Sequence, residues 1–164
     1  MQAFKAHNLD GTDFFESLRH MSAWDVVFSV GRANPQNPVH VWLWFNCAVV
    51  HRILEVAGLD VAIDFAMKAG LSGPKAAPDQ FSADPWTPYP EWIRGSVYAS
   101  NILNRTQHYG EAVFAGYVAI TSPGWYRVEI WGKSASDAAP GINGLARVHV
   151  EPNTLNQLIV RVDD

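Results

Sequence analysis

The chain has 164 residues and a formal net charge of −4, and only 17% of its residues are charged, against about 25% in an average soluble protein. This length fits one domain with a hydrophobic core of its own. The acidic balance argues against a nucleic-acid partner, because the sequence has no basic patch to displace counterions from phosphates. We therefore expect a single domain over residues 1–164 that binds no nucleic acid.

The sequence shows no pattern of a signal peptide or a transmembrane helix, and it contains a single cysteine. The first residues lack the apolar run of a signal peptide, and no run of about 18 apolar residues predicts a transmembrane helix. The single cysteine, Cys47, excludes an intrachain disulfide and a zinc site built from several thiolates. We expect synthesis in a cytoplasm, no membrane span, and release by another route, such as lysis with a particle, for any role outside the cell.

The N-terminal segment, residues 1–22, contains one helix-like pattern. Thr12 and Asp13, followed by Glu16, resemble a helix start. The apolar residues that follow at helical spacing are Phe14, Leu18 and Met21. We predict one short helix here, or a turn that docks on the rest of the domain.

Most of the remaining chain has the pattern of short β-strands separated by turns. Residues 48–56 fit a strand or a helix through Met67, and we prefer a strand that forms a hairpin with 59–65, because Ala57-Gly58 is a turn signal. About eight or nine short strands favour an all-β fold, a β-sandwich of jelly-roll type. Alternation predicts the other strands at 24–30, 39–46, 93–103, 111–120, 124–132, 145–150 and 157–162.

The stretch 111–132 is the centre of this predicted sandwich. Its two strands are joined by a Ser-Pro-Gly turn at 122–124, in which proline presets φ and glycine tolerates positive φ. In the second strand, Arg127 and Glu129 alternate with apolar residues. We therefore expect one face of this strand to be buried and the other to lie in water.

Residues 71–92 form a proline-rich, aromatic arm. Its five prolines exclude a central strand, and a loop of this length is uncommon in a compact domain unless it has a function. Its aromatic residues argue against a disordered linker, which is normally poor in such residues. We predict an ordered arm that partly buries Trp86, Tyr89 and Trp92 against another chain or a neighbouring surface of its own.

The predicted strand at 39–46 has an unusual second face. One face carries apolar residues that suit a core, and the other carries two tryptophans and a histidine. Two tryptophans on a face turned to water are rare unless that face binds something. The predicted ligand or interface residues of the whole chain are therefore His40, Trp42, Trp44, Trp86, Tyr89 and Trp92.

No catalytic pattern stands out in the sequence. The six histidines are scattered, without H-x-H or H-E-x-x-H spacing, so a cupin-like metal enzyme ranks third among the functions considered. Phosphate-binding and nucleophile-elbow motifs are absent. We predict no enzyme activity, no catalytic residue, no bound metal and no cofactor.

The runs GYVAI at 116–120 and PGWYRV at 123–128 resemble a strand–turn–strand pattern of jelly-roll modules. Carbohydrate-binding jelly rolls and trimeric tumour-necrosis-factor-like domains share this pattern, and such modules recur in bacteriophage fibres, spikes and capsid decoration proteins. The opening motif and the Ca²⁺ carboxylate clusters of carbohydrate-binding jelly rolls are absent, so the resemblance implies no calcium. It implies a fold more than a function.

These patterns predict a non-enzymatic structural or binding protein of a phage or phage-like particle, such as a head decoration, spike or fibre module. It would assemble at the virion surface, through aromatic surfaces, with its own copies and with other particle proteins. The alternative is a stand-alone carbohydrate-binding module that stacks tryptophans on a cell-surface polysaccharide. The sequence leaves open whether the exposed tryptophans serve sugar binding or assembly.

Overall fold

The computed structural model describes residues 1–7, 12–14, 19–53, 60–81, 92–103, 107–136, 146–150 and 156–164. Two short 3₁₀ turns, at Ser22–Trp24 and Pro78–Gln80, are the helical elements of this part of the chain. The rest is dominated by eleven strands: β1 (Gln2–His7), β2 (Thr12–Phe14), β3 (Arg19–His20), β4 (Val26–Val30), β5 (Val39–Ile53), β6 (Asp60–Lys75), β7 (Trp92–Leu103), β8 (Gln107–Ile120), β9 (Gly124–Ser136), β10 (Ala146–Val150) and β11 (Gln157–Asp163). The prediction of an all-β fold is confirmed.

The strands form two antiparallel sheets, here called sheet A and sheet B. In sheet A, β8 pairs along almost the whole length of β5, while β11 and β10 lie end to end on its other side. Outside them lie β1, next to β11, and β2, next to β10. In sheet B, β9 lies between β6 on one side and the short strands β4 and β3 on the other, and β7 pairs with the far side of β6.

The two sheets pack face to face around one hydrophobic core. Alternate residues of β5 point into this core, as the sequence pattern at 39–46 predicts, and Phe45 packs edge-on against Trp24 with ring centroids 5.0 Å apart. Burial of such side chains is the main force that holds the sheets together. The core includes Val41, Leu43, Phe114, Leu158, Val160 and Val162 from sheet A and Val26, Phe28, Met67, Ala69, Val128 and Ile130 from sheet B.

The predicted N-terminal helix is wrong in the residues that the structure describes. Thr12–Phe14 is β2, which pairs with β10, and Arg19–His20 is β3, which pairs with β9. A local helix-start signal stabilises a helix only weakly. It does not prevail where neighbouring strands can form hydrogen bonds with the same backbone N–H and C=O groups. Met21, expected on the apolar side of the helix, is instead buried in the core beside the first 3₁₀ turn.

The strand preferred for 48–56 is confirmed for 48–53, which belong to β5, and residues 54–59 lie outside the described residues. The predicted hairpin with 59–65 is wrong, because β5 belongs to sheet A and β6 to sheet B. In the same way, the strands on either side of the 122–124 turn lie in different sheets, as β8 and β9. A turn signal shows that the chain reverses, but whether the reversal stays within one sheet depends on packing.

The proline-rich arm is shorter than predicted. β6 runs to Lys75, and Pro74 lies where the register between β6 and β9 shifts, a position at which a proline without an N–H interrupts no regular ladder. At its other end, Trp92 is the first residue of β7. Residues 82–91 lie outside the described residues and only the backbone of Trp92 is described, so the predicted burial of Trp86, Tyr89 and Trp92 stays a prediction.

Asn156 bridges a break in the ladder beside β5. Pairing with β11 ends at Asn46 and pairing with β10 begins at Val49, so Ala48 lies between the two. The N–H of Ala48 donates a hydrogen bond to Oδ1 of the buried Asn156 at 2.8 Å. One side-chain amide therefore replaces a strand partner where β10 and β11 separate.

We expect Asn156→Ala to lower the free energy of unfolding by about 1–3 kcal/mol, because the N–H of Ala48 loses its acceptor. Urea denaturation measures the change. The neighbouring Gln157→Ala is the control, since Gln157 is only partly buried and a surface substitution is worth about 0.5 kcal/mol or less. Equal losses in both variants would contradict the bridging role.

Candidate functional site

The outer face of sheet A carries a cluster of exposed aromatic side chains. Trp42 and Trp44 of β5 are 45% and 62% exposed, and Tyr117 of the neighbouring β8 is 60% exposed. His40, on the same face of β5, is partly exposed. We call His40, Trp42, Trp44 and Tyr117 together the aromatic surface.

Strand register brings these rings together. Trp42 lies directly opposite Tyr117 in the β5–β8 pair, and their ring centroids are 4.9 Å apart at an angle of 33°. The ring of His40 lies 6.4 Å from that of Tyr117. Trp44 lies opposite Ala115, whose methyl group is too small to cover an indole. The result is a strip of aromatic side chains, three of them exposed, along the outer face of sheet A.

Two charged residues of β11 hold Trp42 in place. Nε1 of Trp42 donates a hydrogen bond to Oδ2 of Asp163 at 3.0 Å. Arg161 donates to the same carboxylate, from Nε to Oδ1 at 2.9 Å and from a terminal nitrogen to Oδ2 at 3.3 Å. The hydrogen bonds from Arg161 are the main reason that the pKa of Asp163 lies below its ordinary value; desolvation opposes them, while the charge of Arg161 and the hydrogen bond from Trp42 lower the pKa further. The carboxylate is therefore charged at neutral pH and keeps the indole N–H engaged.

The chemistry of this face combines stacking and hydrogen bonding. The open rings can stack on flat groups that present C–H bonds, and the guanidinium and carboxylate beside Trp42 can pair with hydroxyl groups. The partly exposed Ile159 of β11 lies directly opposite Trp44, and beyond Trp44 the same face continues with the exposed Val113 of β8. The face can therefore bind an amphipathic, hydroxyl-rich molecule or an apolar protein surface.

The structure brings three of the predicted site residues together, namely His40, Trp42 and Trp44. Trp86 and Tyr89 lie outside the described residues, and the structure describes only the backbone of Trp92, which pairs with Gly70 in sheet B. The site residues that the sequence analysis missed are Tyr117, Arg161 and Asp163. These residues alternate with core residues in β8 and β11, and this alternation could have predicted that they lie on the outer face. It does not predict which of them lie opposite Trp42, because that depends on strand register.

Sheet B carries a buried polar network on its outer face. The fully buried Glu129 accepts hydrogen bonds from the Arg127 guanidinium and, at 2.8 Å, from Nε1 of Trp131. Asp25 lies 3.7 Å from Arg127 and 2.6 Å from Nε2 of His20, which stacks on Trp131 with ring centroids 5.3 Å apart. The prediction that Arg127 and Glu129 lie in water is therefore wrong.

Arg127 and Glu129 can be buried because their charges pair and a neighbouring aromatic ring covers the guanidinium. The opposite charges of Arg127 and Glu129 neutralise each other, and the ring of Phe81, from the arm, lies over the guanidinium with its centroid 5.1 Å from Cζ. Glu129 has no solvent-accessible surface and cannot meet a substrate. The network therefore serves to attach the first part of the arm to sheet B.

Other kinds of site find no support in the described part of the chain. It contains no group of three or more His, Cys, Asp or Glu side chains placed to hold a metal ion. His20 and His40 lie on different sheets. None of the described helical elements has the length and apolar character that crossing a membrane requires.

Comparison with known proteins finds no protein-family model that matches this chain. No curated protein matches it either. The geometry and chemistry of the aromatic surface must therefore carry any functional conclusion.

Proposed function

We propose that this chain is a non-enzymatic binding protein that binds a polysaccharide on the aromatic surface of sheet A. The observation that carries the proposal is a strip of open rings, Trp42, Trp44 and Tyr117, flanked by the charged pair of Arg161 and Asp163. Sugar rings present C–H groups that stack on aromatic faces and hydroxyls that pair with charged groups. Because Asp163 already holds Trp42, little side-chain freedom is lost on binding.

The length of the strip favours a chain of sugars over a single sugar. Residues on one face of a strand repeat about every 7 Å, so His40, Trp42 and Trp44 span about 14 Å along β5. No wall of the described structure encloses the strip, because these residues lie on an open sheet face. Such an open strip suits the side of a polymer, which can extend beyond it at both ends.

We also propose that the sandwich is a jelly roll and that the protein belongs to the surface of a phage or phage-like particle. The strand orders support the fold: β1-β11-β5-β8 in sheet A faces β4-β9-β6-β7 in sheet B, and most connections cross between the sheets. The resemblance of 116–128 to modules of phage fibres, spikes and decoration proteins supports the location.

A second candidate function is assembly with other particle proteins through the same face. The exposed Val113 and the partly exposed Ile159 favour it, because apolar aliphatic side chains around exposed aromatic residues are typical of protein interfaces. The two functions are compatible, since one particle component can both assemble and bind a cell-surface sugar.

We expect Trp44→Ala and Tyr117→Ala each to weaken polysaccharide binding about tenfold, and the double variant about a hundredfold, since loss of one stacking contact is worth about 1.4 kcal/mol. Isothermal titration against a panel of purified bacterial capsular polysaccharides measures the affinities. Both side chains are more than half exposed, so circular dichroism should show an intact fold.

The matched control is Trp125→Ala, which removes a partly exposed tryptophan from sheet B and should leave binding unchanged. If the double variant binds as tightly as the wild type, the aromatic surface is not the sugar site. If no polysaccharide binds the wild type but the double variant loses association with other particle proteins, assembly is the function of this face.

A further inference from the structure

β8 forms an edge of sheet A, and part of it lies close to β7 of sheet B. Its 14 residues pair with β5 in one uninterrupted register, from Gln107 opposite Arg52 to Ile120 opposite Val39. Among the described residues, no strand pairs with its second side. An unpaired strand edge offers alternating N–H and C=O groups to any strand that can lie beside it.

The other sheet edges carry features that discourage such pairing. The far edge of sheet A consists of β1, with 6 residues and an exposed Lys5, and β2, with 3 residues. One edge of sheet B is divided between β4 and β3, with 5 and 2 residues. The other is β7, which contains Arg94 and faces a register shift in β6 between Ala69 and Gly70. Short strands, cations and irregularities are the usual protections of natural edges.

β8 lacks these protections between Ala112 and Ile120. This segment contains no charged residue, no proline and no break in register. The side chains on its outer face are exposed, and the inward Val118 is only partly buried against the core. An uncharged, regular and partly apolar edge is the kind that pairs with a second strand.

Two identical strands that pair antiparallel are related by a two-fold axis. Gly116 is the central residue of the segment, so a two-fold axis at Gly116 pairs all of Ala112–Ile120 antiparallel with the same segment of a second copy. On the outer face, Ala115 then lies opposite Tyr117 of the partner subunit, and Val113 opposite Ala119 of the partner subunit. Each of these pairs places a larger side chain beside a smaller one, so the outward-facing side chains of the two strands can pack without a steric clash.

We propose that two copies of this chain pair through β8, antiparallel and centred on Gly116, so that sheet A continues from one copy into the other. Neighbouring strands lie about 4.8 Å apart, so the row of Trp42 and Tyr117 continues directly into Ala115 and Trp44 of the partner subunit. The two aromatic surfaces become one. As a consequence that rests on the proposed function, a repeating polysaccharide is held by both copies at once, and its apparent affinity rises through bivalence.

Sedimentation velocity of the full chain without ligand tests the pairing. An edge contact is smaller than the roughly 800 Å² per partner of a standard interface, so we expect dissociation at micromolar concentration and a dimer near 100 µM. Val113→Lys/Ala119→Lys places lysines opposite lysines and should weaken self-association at least tenfold. Val113→Lys/Ala119→Glu changes the same two exposed positions but places each lysine opposite a glutamate, and should restore the dimer.

The possible results distinguish the dimer proposal from the proposed function. A monomeric wild type at about 100 µM overturns the proposal, and so does a dimer that the double-lysine variant leaves intact or that both variants abolish equally. Circular dichroism of both variants confirms that the fold is kept, which the exposure of Val113 and Ala119 predicts. A monomer that binds polysaccharide refutes the dimer alone, whereas a dimer that binds no polysaccharide refutes the proposed function alone.

Discussion

Glu129→Ala is expected to lower the free energy of unfolding by about 3–5 kcal/mol, because it removes one partner of a buried ion pair. Glu129 is fully buried and accepts hydrogen bonds from Arg127 and from the indole N–H of Trp131. Without its carboxylate, the buried guanidinium loses the negative charge that neutralises it most closely. Desolvation of that cation then works against the folded state.

Asp163→Ala is the matched control for this prediction. Asp163 also accepts hydrogen bonds from an arginine and from a tryptophan indole, but it lies on the open face of sheet A. Water screens its charges and solvates the groups left behind, so the loss should be much smaller. Guanidinium chloride denaturation of both variants at neutral pH provides the comparison. Losses of the same size would show that burial is not what makes the Glu129 contacts important.

A second variant tests whether the cost comes from the charge left behind. Arg127→Met/Glu129→Leu removes both partners and fills the space with apolar side chains. We expect it to be more stable than Glu129→Ala, because no buried cation has lost its counterion. A double variant no more stable than Glu129→Ala would show that the cation left without its counterion is not the source of the loss.

Gly73→Ala is expected to cost about 2–5 kcal/mol of folding free energy, because backbone strain and steric overlap add. Gly73 has a φ of 121°, a region that side-chain-bearing residues rarely adopt. An added Cβ would lie 2.5 Å from the carbonyl oxygen of Trp125 and 2.8 Å from Cδ1 of Tyr126. That oxygen belongs to β9, next to β6, so it cannot retreat without disturbing the sheet.

Gly31→Ala is the control for Gly73→Ala. An added Cβ at Gly31 meets no atom within 4 Å, so we expect a change of about 0.5 kcal/mol or less. Thermal unfolding followed by circular dichroism distinguishes the two variants. If both lose stability equally, the close approach of β6 to Trp125 is not the cause of the effect.

The sequence by itself determined the all-β class and the faces of the strongest strands. Val41 and Phe45 alternate with Trp42 and Trp44, and this period of two assigns the first pair to the core and the second to the outside. The physical reason is that successive side chains of a strand point to opposite sides of the sheet. The order of residues within the strand is therefore enough to assign each side chain to a face. The exposed Trp42 and Trp44 were predicted site residues for this reason.

Local sequence patterns gave wrong predictions where contacts with distant parts of the chain decided the structure. Residues 12–14 carry a helix-start signal, yet they pair with β10 of the distant C-terminal part of the chain. Arg127 and Glu129 carry the polar signature of a wet face, yet they are buried because they neutralise each other and Phe81 covers the guanidinium. The strand partner β10 in the first case and the covering ring of Phe81 in the second both lie outside the local pattern.

Only the tertiary structure decided which residues share the aromatic surface. Tyr117 meets Trp42 because of the register of β8 against β5, and Asp163 reaches the indole of Trp42 across a separation of 121 residues. The sequence shows that each residue faces outward, but a shift in register would give each of them a different neighbour. Register and the assignment of strands to sheets follow from packing of the whole chain around one core, and so the site exists only in the folded protein.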